Sequence, residues 1–200
     1  MRQTRRSARF TLTPLLALAL ACGEPEVTAP FDARLARVQA ALGGAGQSAT
    51  GGGVVDLTTA GAGFTHFSFG AVATPHGKAN GTFRQVREVG GLLVDLEGEV
   101  TCLSVDAATG RAWIAGVVTR NNSTHPGFLT GIHEIGDDVW FRVVDYGEGA
   151  NAAQSDRSTV LGFEGAAGII TSEEYCAVRT WPDADARTFP VSEGNIQVRP

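Results

Sequence analysis

The chain has 200 residues, with 16 Lys and Arg against 21 Asp and Glu, a formal charge of −5. Removing residues 1–21 takes away four arginines and no acid, so the remainder carries −9. That sign disfavours nucleic acid and anionic lipid headgroups as partners, and makes any charged ligand an expected cation, metal ions included.

Arg2, Arg5, Arg6 and Arg9 precede an apolar stretch from Phe10 to Ala21, which ends at Cys22. A basic start, a short apolar segment and small residues before a cut describe a signal peptide over residues 1–21. As a helix the apolar stretch rises only about 18 Å, short of a hydrocarbon core of roughly 30 Å, so a permanent span is not expected. Leu18-Ala-Leu-Ala-Cys22 resembles the lipobox of bacterial lipoproteins, with Ala19 where leucine is commoner. The resemblance implies cleavage before Cys22, a lipid on its sulfur and membrane anchoring in the cell envelope. Gly23 rather than Asp after the cysteine points to the outer membrane in a two-membrane cell.

Residues 22–53 read as lipid anchor and tether, with Pro25, Pro30 and a closing Gly/Ala/Ser/Thr run. Within them Phe31, Leu35, Val38 and Leu42 fall at near-helical spacing behind Asp32, a short amphipathic piece. As a coil, a tether of this length holds a domain roughly 30 Å from its anchor.

Residues 54–200 read as all-β: one antiparallel β-barrel, with a β-sandwich as the alternative. The expected strands are 54–58, 63–73, 77–89, 92–105, 111–120, 128–135, 138–145, 158–163 and 196–199. Leu92, Val94 and Leu96 alternate with Asp95 and Glu97, whereas Trp140 and Val144 make the 138–145 strand apolar on both faces. Gly98 marks an expected bulge, because the apolar phase shifts before Cys102 and Leu103. With Cys22 spent on lipid, Cys102 and Cys176 are left to pair in an oxidising compartment, two buried thiols being the alternative. On the chain-entropy view that disulfide stabilises by about 4 kcal/mol at most.

Gly98-Glu-Val-Thr-Cys-Leu-Ser-Val105, Arg111-Ala-Trp-Ile-Ala-Gly-Val-Val-Thr119, Val139 to Asn151 and Gly194-Asn-Ile-Gln-Val198 resemble phrases of a group of exported bacterial β-rich proteins of uncharacterised function. The likeness spans roughly Phe67 to Val198. It implies an exported all-β domain and supplies no catalytic residue.

The segment from Asp145 to Asp156 offers Asp145, Glu148, Asn151 and Asp156 around Gly147 and Gly149, oxygen ligands of the kind Ca²⁺ takes. The spacing is not that of an EF-hand, and the competing reading is a turn whose side chains bond the local backbone. His66, His76, His125 and His133 lack zinc spacing, so a metal would need His66 and His133 to converge in the fold. No Gly-x-Ser-x-Gly, Ser-x-x-Lys or Cys–His arrangement is present, and Glu97/Glu99 and Glu173/Glu174 read as solvent-face pairs. Trp181, in a polar loop, is the aromatic expected to recognise a small apolar or carbohydrate ligand. The leading expectation is therefore a non-catalytic binding or structural domain of the envelope. A lipocalin-like carrier of an apolar ligand comes second, and a hydrolase with a site assembled from distant residues third.

Overall fold

The computed structural model describes residues 46–60, 62–74, 78–148, 152, 154–163, 168–169, 171–179 and 187–200. Cys22, the amphipathic piece at 31–42, His76, Asn151 and Trp181 lie outside the described residues.

Six strands form an antiparallel meander, each pairing with the next: β1 (Ser48–Asp56), β2 (Phe64–Ala73), β3 (Ala79–Val89), β4 (Leu92–Asp106), β5 (Arg111–Asn121) and β6 (Asp138–Val144). Two short strands, β7 (Arg157–Ser158) and β8 (Gly162–Phe163), both pair with β6. β7 pairs in turn with β9 (Phe189–Arg199), and β9 returns to β1. The sheet therefore closes on itself as an eight-stranded barrel in which β7 and β8 share one position. Helix α1 (Pro126–Leu129) lies between β5 and β6, and α2 (Ser172–Val178) between β8 and β9. No helix among the described residues is long and apolar enough to cross a membrane.

The barrel begins at Ser48, which corrects the expected boundary at Val54: the glycine-rich run at 51–53 is strand, not tether. Gly51 stands opposite Phe69, and a Cβ at Gly51 would lie 2.7 Å from the Phe69 ring and 3.0 Å from Ile196. The glycine makes room for an aromatic ring in the interior. Gly98 does the same for Phe83, its partner across the β3–β4 pair, with the ring 2.1 Å from where a Cβ would sit. The register does slip at Glu97/Gly98, but the unmatched residue there, Thr119, is on β5. The change of phase on β4 comes at a second slip, where Thr101 is extra, and from there Cys102 points outward.

Two further expectations change. Residues 128–135 are not a strand. Pro126 starts a helical turn capped by His125, whose Nδ1 accepts the Gly127 N–H at 3.2 Å, and Gly131 and Gly136 carry positive φ. Residues 158–163 split into β7 and β8, and β9 starts at Phe189 rather than near Ile196.

Inside the barrel Phe69 and Phe83 meet Phe141 edge to face, at 5.3 and 6.0 Å between ring centroids. Val55, Phe67, Val94, Leu96, Ile114, Val139, Val143 and Ile196 fill much of the rest. Outside, α2 covers β4, β5 and β6, which explains why β6 is apolar on both faces. Trp140 stacks on Tyr175 at 5.6 Å, Trp113 lies under Arg179, and the Cys102–Cys176 disulfide joins β4 to the helix. Arg179 also donates to Ser104 Oγ and to the Val105 carbonyl.

Gly51→Ala is expected to destabilise the protein by about 1–3 kcal/mol, since overpacking outweighs the smaller gain from losing a strand glycine. Gly52→Ala, on the outer face, should be neutral or slightly stabilising. Urea unfolding midpoints at constant slope check both.

Candidate functional site

The antiparallel meander gives the barrel two ends. β1 enters at one, together with the β4–β5 turn and the segment after β6. The other holds the β3–β4 turn, the β5–β6 connection with α1, and the starts of β2, β4 and β6.

At the entry end stand the acidic residues singled out as Ca²⁺ ligands. β7 is only two residues long and pairs with the start of β9, so the far part of β9 lacks a strand on that side. Carboxylates of the 145–156 segment substitute for it. Asp145 Oδ2 accepts the Val198 N–H at 2.8 Å, and Asp156 Oδ2 accepts the Ile196 N–H at 2.7 Å. Their other oxygens take the N–H groups of Gly147 and Tyr146. Glu148 accepts from the Gln197 amide. Burial pushes Asp156 above the usual carboxylate range, the two N–H donors pull against that, and the charges of Asp145 and Glu148 add to the rise. Among the described residues no three His, Cys, Asp or Glu side chains are placed to hold a metal ion. The acidic segment is thus a closing device of the barrel.

At the opposite end lie Thr65 and His133, two of the buried polar groups without a partner among the described residues; Thr101, in the middle of β4, is another. After β5 the chain continues along β4: Asn122 N–H donates to the Asp95 carbonyl, Thr124 N–H to that of Leu93, and Thr124 Oγ1 accepts from Leu93 N–H. Asn121 then ties the loop together, its amide donating to the carbonyls of Phe128 and His133. This lays α1 across the end and drops Phe128 into it. His133 stacks on Phe128 with centroids 5.4 Å apart and rings 6° from parallel, and Phe163 meets His133 edge-on at 6.0 Å.

His133 is 1% exposed and neither ring nitrogen completes a hydrogen bond. Burial, and then the charge of Arg87, push its imidazole down to about 4; the Gly162 backbone opposes this only in part. Arg87 lies on the inward phase of β3, in line with Phe83 and Gln85, and its guanidinium sits 5.2 Å from the Phe128 ring centre. Burial lowers its affinity for its proton, and no carboxylate among the described residues pairs with it. Across the strand pair stands Thr65, 1% exposed, whose hydroxyl also has no partner. Gln85 is the satisfied member of this group, accepting the Leu161 N–H at 3.2 Å.

On the outer wall beside Arg87 runs a groove of about 570 Å³, bordered by Phe64, Val86, Leu93 and Thr124. Phe64 and Leu93 are 53% and 39% exposed. His66 lines this groove on the outer face, while His125 and His133 pack on the edge and face of Phe128, and among the described residues the three form no metal-holding group. No nucleophile–base pair accompanies any of them among the described residues.

Thr65 and Arg87 were missed as site residues, and His133 was weighed only as a zinc ligand. Arg87 carried no legible signal, because the apolar residues of that stretch, Phe83, Val86 and Val89, do not alternate and leave the inward phase unmarked. Comparison with protein-family models, with curated proteins and with solved structures finds no match, so the site rests on its own geometry.

His133 is favoured neutral in the fold, so its contribution to stability is fully present above pH 6.5 and is lost as pH falls toward about 4. Relative to His133→Phe, the wild type should lose up to about 3 kcal/mol over that window, measured by urea unfolding at several pH values. Asp156→Ala, which orphans the buried Ile196 N–H, should cost about 2–4 kcal/mol at neutral pH, and Asp156→Asn roughly half as much.

Proposed function

We propose that the chain is an exported bacterial lipoprotein, tethered through a lipid on Cys22, whose barrel is a non-catalytic binding module of the cell envelope. The basic start, the short apolar segment and the lipobox-like Leu18–Cys22 support the anchor. The observation that carries binding over a purely structural role is the half-buried Arg87, without an acidic partner among the described residues, beside the unsatisfied Thr65 and His133. Folded proteins rarely leave buried polar groups unpaired, and those they do leave call for an explanation.

The cluster lies at the end of the barrel opposite the start of β1. A carrier holding its ligand in the middle of the barrel is less well supported. Phe69 and Phe83 pack edge to face on Phe141 there, and Phe67 packs on Phe69. Binding therefore belongs at the end and its outer groove, on an eight-stranded barrel just wide enough to be filled by its own side chains.

Growing cells on labelled palmitate tests the anchor. The wild-type chain should take up label and fractionate with membranes. Cys22→Ala should lose the label and keep residues 1–21. Equal labelling of the two chains, or release of the wild type as a soluble protein, would sink the proposal.

A further inference from the structure

We infer that the barrel end opposite the start of β1 binds a small monoanionic amphiphile, its charged head on Arg87 beside Thr65 and its apolar part in the groove between Phe64 and Leu93. This deepens the binding-module reading and rests on it.

Charge is the first argument. The chain has more acids than bases, and two other arginines on the same part of the sheet find them: Arg84 pairs with Asp95 and Glu97, and Arg120 with Glu97. Arg87 alternates with these outward residues and points inward, onto the Phe128 face, where none of the described carboxylates reaches it. A guanidinium held partly out of water without an anion is a costly state. A bound carboxylate or similar head relieves it through a paired, charge-assisted hydrogen bond. The overall charge of −9 after residue 21 argues for cationic ligands, but the field at this end is set locally by Arg87.

The second argument is the pair of orphaned groups. The Thr65 hydroxyl is the cross-strand neighbour of Arg87 on the same inward face, and His133 stacks on the same Phe128 ring that Arg87 covers. Both are 1% exposed and neither borders the groove, so they mark the inner side of Arg87 as short of hydrogen-bond partners, while Arg87 itself lines the groove.

The third is the groove. Its volume of about 570 Å³ falls within the range of small-molecule sites, and Phe64 and Leu93 expose apolar surface along it. Leu92, Leu129, Ile135 and Phe163 add further exposed apolar surface at the same end of the barrel. Glu88 also lines the groove, which disfavours a head of more than one negative charge.

The test is calorimetric titration of the full chain carrying Cys22→Ser, prepared without detergent, with three probes: octanoate, its neutral analogue octanamide, and acetate. Octanoate should bind saturably, and octanamide and acetate should each bind roughly tenfold more weakly or worse. Arg87→Met should erase the preference for octanoate over octanamide, and Arg87→Lys should restore part of it. Phe64→Ser, at an exposed position, should bring octanoate down toward acetate. Unfolding midpoints of each variant separate lost binding from lost folding. Absent saturation by octanoate, equal affinity for octanamide, or indifference to either Arg87→Met or Phe64→Ser overturns the inference. The palmitate experiment does not involve Arg87, so failure here removes this ligand class and leaves the tethered module to be judged separately.

Discussion

The narrowness of an eight-stranded barrel governs this molecule. An interior of that diameter accepts large rings only where the facing strand gives way, and it does so at Gly51 opposite Phe69 and at Gly98 opposite Phe83. Each glycine sacrifices some strand propensity, and the ring that covers it recovers apolar burial. With Phe141 completing the cluster, aromatic rings pack across the middle of the barrel. Among the rings the inward polar Gln85 is satisfied, accepting the Leu161 N–H. Asp156 lies at one end, and Thr65, Arg87 and His133 at the other.

The two ends treat their polar groups differently. At the entry end the shortness of β7 leaves N–H groups of β9 without a strand, and Asp145 and Asp156 accept them. Each carboxylate there has a backbone bond to make, so it belongs to the architecture. At the other end the loop carrying α1 is tied down by Asn121 and places Phe128 against His133 and Arg87. The same principle that assigns Asp156 to the framework marks Arg87 out, since satisfied polar groups hold a fold together and unsatisfied ones ask for something else.

The outer layer answers a separate need. β6 carries Trp140 and Val144 on its outward face, and such a strand cannot stand in water. Helix α2 covers it, positioned by the disulfide from Cys102 to Cys176, by the stack of Tyr175 on Trp140, and by Arg179 over Trp113. The helix was legible had its cap been weighed. Thr171, whose hydroxyl accepts the Glu174 N–H, precedes Glu173 and Glu174 in the first turn. Reading those two glutamates only as a solvent-face pair hid a helix start.

The sequence by itself determined the all-β class and most of the long strands, because alternation is a local property; it offered Cys102–Cys176 beside two free thiols, and the fold brings the two sulfurs together. The two-faced apolar character of β6 was equally plain. Other features depended on contacts across the sheet. Glycine has the same local signature in a linker and beside a buried ring, so only Phe69 reveals that residues 51–53 are strand. Residues 128–135 are apolar enough for a strand, yet Pro126, the His125 cap and the Asn121 bonds turn them into a plug. The acidic segment reads from sequence as a cation site or a turn, and only the short β7 shows that Asp145 and Asp156 accept N–H groups of β9. Arg87 becomes notable only when closure of the barrel turns its side chain inward, since the value of a charge depends on the medium and partners around it, which no stretch of chain carries alone.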